Sequence, residues 1–138
     1  MSSEVMRAFS ATLAKTEWLP PQKLRAYQLP LVARLLRHAR ATTEFYQDRL
    51  DFDLASPAEI ERCWSRIPII SRAEAVENRD KLKSNAIPPE TGRIHYQETS
   101  GSTGIPFPYE KSHLSAVAAI ARERACPPHN QDNWLFLS

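Results

Sequence analysis

Glycine is almost missing from this chain. Its 138 residues hold three, and two of those, Gly101 and Gly104, fall inside the six-residue run Thr99-Ser100-Gly101-Ser102-Thr103-Gly104. Such clustering marks a backbone path that a Cβ would obstruct. Cysteine is scarce too. Cys63 and Cys126 lie far apart and make no C-x-x-C pair, which excludes a zinc knuckle or a disulfide framework and suits a reducing compartment. Long apolar runs are lacking: the longest, Ala116 to Ala121, falls far short of the roughly 20 residues of a membrane helix. Met1-Ser2-Ser3-Glu4 has neither the basic start nor the apolar stretch of a signal peptide. Charge imbalance is missing as well, since 18 Lys and Arg face 16 Asp and Glu. That balance argues against the concentrated basic face of a nucleic-acid binder. A cytoplasmic protein that engages neither membrane nor nucleic acid is expected.

What is present is ordinary globular material. Apolar residues make up 42% and charged residues 25%, a composition that folds around a core instead of staying disordered. Val5 to Leu13 is an amphipathic stretch. Pro20-Pro21 break the chain and suit the opening turn of a helix over Gln22–Arg40. Leu24, Tyr27, Leu31, Leu35 and His38/Ala39 recur there at helical spacing, broadened by Leu29, Val32 and Leu36. Pro30 is expected to kink or split this helix. Arg34, Arg37 and Arg40 read as a solvated face near its C-terminus, where cations suit the helix dipole.

Thr42 to Leu54 reads as a connection whose Phe45-Tyr46 pair packs under that helix. Ser56-Pro57-Ala58-Glu59 and Ser71-Arg72-Ala73-Glu74 are capping boxes that open short helices to about Arg66 and Lys83. The first should turn Ile60, Cys63, Trp64 and Ile67 to one side. Asn85 to Gly92 reads as loop. Ile94-His95-Tyr96-Gln97-Glu98 alternates and reads as a strand, and Pro106-Phe107-Pro108-Tyr109 as extended chain. Ser112 can cap a helix through Arg124 with Leu114, Val117, Ala118, Ala121 and Ala125 inward. Trp134-Leu135-Phe136-Leu137 reads as a further buried strand.

The chemistry-bearing element is the glycine-containing run after the first strand. Its glycines let main-chain N–H groups come close to a ligand, and Thr99, Ser100, Ser102 and Thr103 add four hydroxyls. Successive N–H groups in such a turn form an anion-binding nest. The run is neither a Walker A loop, for no Gly-Lys pair exists, nor a G-x-G-x-x-G dinucleotide fingerprint. His95 and Glu98 lack the further ligands that a zinc site needs. His38, His113 and His129 have no serine–aspartate or cysteine partner that spacing places beside them.

The segment Tyr96-Gln97-Glu98-Thr99-Ser100-Gly101-Ser102-Thr103-Gly104-Ile105-Pro106 resembles the phosphate-loop signature of the adenylate-forming (AMP-binding) acyl-CoA synthetases. The surroundings are similar to the phenylacetate–CoA ligase branch with its capsule-biosynthesis relatives. They comprise Leu31 to Ala39, Phe45-Tyr46, and Ile67-Pro68-Ile69-Ile70-Ser71-Arg72-Ala73-Glu74. The resemblance runs from about Leu24 to Ser138. It implies ATP-dependent activation of a small-molecule carboxylic acid to acyl-AMP, magnesium accompanying ATP, and transfer to coenzyme A. Thr99, Ser100, Gly101, Ser102, Thr103 and Gly104 would hold the phosphates. Relatives often carry a lysine directly after the loop glycine or the proline; Ile105 and Phe107 stand there, and Lys111 is the nearest cation. The family runs to several hundred residues, so the chain is expected to be an N-terminal part, inactive alone, working with a complementing chain or as a homo-oligomer. The alternative is a non-catalytic nucleotide-binding or protein-interaction module. The expected fold class is α/β, with a helical segment over residues 1–93 leading into the start of a mixed sheet over 94–138.

Overall fold

Pro21 occupies the first turn of a 22-residue helix, α2 (Pro21–Thr42), where its missing N–H leaves no intrahelical bond unmade. The structure is a computed structural model and describes residues 2–99 and 106–125. These form two compact units: Pro20–Ile87 is one, and the described residues before and after it make up the other.

In the Pro20–Ile87 unit, α2 runs unbroken through Pro30. Pro30 and Ala26 are both exposed, so water can solvate the Ala26 carbonyl that Pro30 cannot serve. The helix buries Leu29 and Ala33, with Val32, Leu36 and Ala39 packed beside them. Tyr27, Leu31 and Leu35, expected on the inner stripe, are exposed. The helix carries two apolar stripes, and the chain that follows selects one. After α3 (Glu44–Gln47), the alternating side chains of Leu50, Phe52 and Leu54 all turn into the core. They meet Ile60 of α4 (Pro57–Arg62) and Cys63. Full burial of Leu50, Leu54 and Ile60 contributes about 1.5–3 kcal/mol each.

Two arginines fix that choice. Arg40 Nη1 donates to the carbonyls of Leu50 (3.2 Å) and Phe52 (3.1 Å), and Arg37 Nη1 donates to the carbonyl of Leu54 (2.7 Å). A strand-like segment whose side chains all serve the core needs partners for its carbonyls, and these guanidinium groups supply them. Arg37 and Arg40 are therefore structural clamps and not members of a solvated face. Arg34 is exposed and has no partner among the described residues.

Both expected helix starts are present. Ser56 Oγ accepts from the Glu59 N–H, and Ser71 Oγ accepts from the Glu74 N–H at the start of α5 (Arg72–Glu77), each at 3.2 Å. The glutamate side chains are bound elsewhere, Glu59 to Arg62 and Glu74 to Arg49. The helices end sooner than expected: α4 passes into a 3-10 turn (Trp64–Arg66), and α5 ends at Glu77. Trp64 is half exposed under the Arg25 guanidinium instead of joining Ile60 and Cys63 inside. Phe45 is buried and meets Tyr46 edge to face at 5.1 Å, and Tyr46 packs against the core that holds Leu29 and Ala33 of α2. Ser84 closes the unit: it bridges to Thr43 and donates to Thr42 Oγ1 at 2.9 Å.

The other unit joins α1 (Ser2–Thr16) to β1 (Ile94–Glu98), β2 (Pro108–Ser112) and α6 (His113–Ala125). Helix α1 packs along α6, with Val5, Phe9 and Leu13 half-buried on one stripe of α1 and Val117 and Ala121 buried on α6. Ser112 Oγ accepts from the Ser115 N–H at 3.1 Å, the expected cap of α6. Among the described residues the sheet is a two-stranded antiparallel pair. So short a connection returns the second strand antiparallel, and the further strand expected at Trp134 to Leu137 lies outside the described residues. Gly92 ends a 3-10 turn (Pro89–Thr91) at φ 75°, and a Cβ there would come within 3.1 Å of His113 Cβ. Among the described residues, no helix is long and apolar enough to cross a membrane.

Arg40→Ala should destabilise the protein by about 2 kcal/mol, because two part-buried carbonyls lose their donor. Arg34→Ala should change stability by less than about 0.5 kcal/mol. Urea melts of the two variants check this; equal midpoints would remove the clamp.

Candidate functional site

The strand β1 delivers the chain straight into the glycine-containing run, as the sequence suggested. Thr99 is described; Ser100, Gly101, Ser102, Thr103 and Gly104 lie outside the described residues, as do Ile105, Cys126, His129 and Trp134 to Leu137. The geometry on either side of the run is well defined. The ladder pairs Ile94 with Ser112, His95 with Lys111, Tyr96 with Glu110, Gln97 with Tyr109 and Glu98 with Pro108. Tyr109 Oη donates to Gln97 Oε1 at 2.8 Å, locking the register on one face.

Beyond the last strand pair the neck closes by a two-way bond. The Thr99 N–H donates to the Phe107 carbonyl at 3.0 Å, and the Phe107 N–H donates to Thr99 Oγ1 at 2.9 Å. Thr99 and Phe107 thus stand side by side, about 5 Å apart as in any antiparallel pair. The Thr99 hydroxyl oxygen accepts in this closure, and its proton has no acceptor among the described residues. The base of the hairpin is closed too, by the His113 N–H donating to the Arg93 carbonyl at 2.8 Å.

Lys111 is placed away from the neck. It stands opposite His95 and four residues along β2 from Phe107, about 14 Å at the rise of an extended strand. That is more than a lysine side chain spans, so Lys111 does not reach the neck. Phe107 is the neck position that sequence reasoning missed. Its contribution is a main-chain N–H and C=O, which only the register reveals. Among the described residues, no three His, Cys, Asp or Glu side chains come together as a metal site. His95 and Glu98 are exposed on opposite faces of β1.

Comparison with family models, with curated proteins and with solved structures finds no match to this chain.

Thr99→Val removes the acceptor for the Phe107 N–H, whereas Thr99→Ser keeps it. Hydrogen exchange at the Phe107 amide should speed up about tenfold in the valine variant and stay near the parent rate in the serine variant. Equal rates in all three proteins would show that the neck does not depend on this hydroxyl.

Proposed function

We propose that the chain contributes the phosphate-gripping hairpin of an ATP-dependent acid–thiol ligase. In this reading the described helices and strands belong to the first part of an adenylate-forming domain. Its reaction is activation of a carboxylic acid as acyl-AMP, with release of pyrophosphate and transfer of the acyl group to coenzyme A. One observation carries the reading: the Thr99–Gly104 run sits as the connection of an antiparallel hairpin whose neck is closed by Thr99 and Phe107. Donors fixed before the ligand arrives cost little reorganisation when charge develops on phosphate oxygens.

The chain's own residues bind and position in this reading. The serine and threonine hydroxyls and the main-chain N–H groups of residues 99–104 are donors suited to the terminal phosphates of a nucleotide. Without a cluster of carboxylates among the described residues, magnesium fits as an ion carried on the nucleotide's phosphates, its usual mode. The carboxylic acid and coenzyme A are substrates of the whole reaction, and no residue of this chain is assigned to them.

Calorimetric titration with ATP·Mg should give saturable binding, with ADP weaker and adenosine silent, because the grip is on the terminal phosphates. Gly101→Val should abolish the heat. Adenosine binding as well as ATP, or absence of heat at millimolar ATP, would remove nucleotide binding by this hairpin. Isotope exchange between pyrophosphate and ATP that depends on an added carboxylic acid separates the two functional classes. Exchange supports the ligase, and binding without exchange supports a nucleotide-binding module.

A further inference from the structure

A second concentration of unused donors lies in the unit that holds the hairpin. Ser3, Met6, Arg7 and Ser10 of α1 and Arg124 of α6 line a groove of about 440 Å³, within the range of small-molecule sites. Helical spacing makes the stripe: residues 3, 7 and 10 stand one above another on the same face of α1. The result is an arginine flanked by two serines. The side chains of Ser3, Arg7 and Ser10 have no hydrogen-bond or ion-pair partner among the described residues. Arg124 reaches across from α6, steadied by Nη1 at 3.2 Å from Met6 Sδ. This uses one of its five N–H donors.

Two arginines line one groove and repel each other, and among the described residues no carboxylate lines it to offset them. The arrangement favours an anion. The kind of anion follows from the donors. A single guanidinium fork already satisfies both oxygens of a carboxylate. Two forks on different helices, with hydroxyls on either side, match the three terminal oxygens and double charge of a phosphate monoester. The volume exceeds what a bare phosphate fills. Met6 and the aliphatic stems of the arginines offer an apolar wall for an attached organic group.

The geometry points to a binding site for a small organic phosphate monoester between α1 and α6, separate from the Thr99–Gly104 run. The test uses the full chain and phenyl phosphate as probe, followed by amide chemical shifts. Saturable shifts should centre on Ser3, Arg7, Ser10 and Arg124. Inorganic phosphate should move the same amides more weakly, and benzoate should bind about tenfold less tightly than phenyl phosphate. Arg7→Gln and Arg124→Gln should each weaken binding about tenfold, and the double variant should abolish it. Arg7→Lys, which keeps the charge and loses the fork, should fall between. Both sites are exposed, so unchanged thermal melts confirm that the variants fold. Ser102→Ala should leave these shifts intact, which keeps the test independent of nucleotide binding by the hairpin. Shifts confined to β1 and β2, undiminished binding in the double variant, or benzoate binding as tightly as phenyl phosphate would each overturn the proposal.

Discussion

Two guanidinium groups hold the Pro20–Ile87 unit together in a way that burial alone would not. Along Leu50 to Leu54 the side chains alternate, with Leu50, Phe52 and Leu54 buried and Asp51 and Asp53 exposed. Their carbonyls then sit beside α2 with no strand to pair with. Arg40 and Arg37 take those carbonyls, and in doing so decide which stripe of α2 faces inward. Without them, the choice between the Leu29–Ala33 stripe and the Tyr27–Leu31–Leu35 stripe would rest on small differences in apolar area. Arginine suits the task because its donors point along a rigid fork and its charge never leaves it.

Arginine recurs in the same unit in a second arrangement. Arg25, Arg49 and Arg66 each bind one acid, respectively Glu61, Glu74 and Asp51, while lying over one ring, respectively Trp64, Phe45 and Phe52. Exposed ion pairs contribute little each, and so do exposed cation–π contacts. A guanidinium that does both is held in one rotamer, and it shields the edge of the apolar core from water. Short helices with thin apolar faces, such as α5, are kept in place by such contacts as much as by burial. One of these arginines, Arg49, holds Glu74 of the second capping motif, while Glu59 of the first is taken by Arg62 one turn along.

The sequence made the local features legible and left the relational ones hidden. The bounds of β1, the capping roles of Ser56, Ser71 and Ser112, and the inward face of α6 follow from rules that act within a few residues. The orientation of α2 does not, because two apolar stripes satisfy helical periodicity equally well. The decision comes from carbonyls ten or more positions away. The alternation Leu50-x-Phe52-x-Leu54 was the signal that could have found the rest of this core. At the candidate site, Thr99 could be placed at the end of a strand from sequence alone. Its bond to Phe107 could not, since main-chain partners are set by register. The distance that removes Lys111 from the neck comes from the same register.

The order of elements along the chain has a consequence for how the protein emerges from the ribosome. The Pro20–Ile87 unit is one continuous stretch, and every partner it needs is made before β1 is translated. Domains generally fold as units during synthesis, so this unit can reach its native packing while the hairpin is still unmade. The other unit is interrupted. Helix α1 is translated before that unit, yet α6, which it packs against, comes after it. A half-apolar helix thus waits through the synthesis of a whole neighbouring unit, and closing that long separation slows its docking. Until α6 arrives, the stripe of Val5, Phe9 and Leu13 is open to chaperones, a period of exposure fixed by chain order and not by stability.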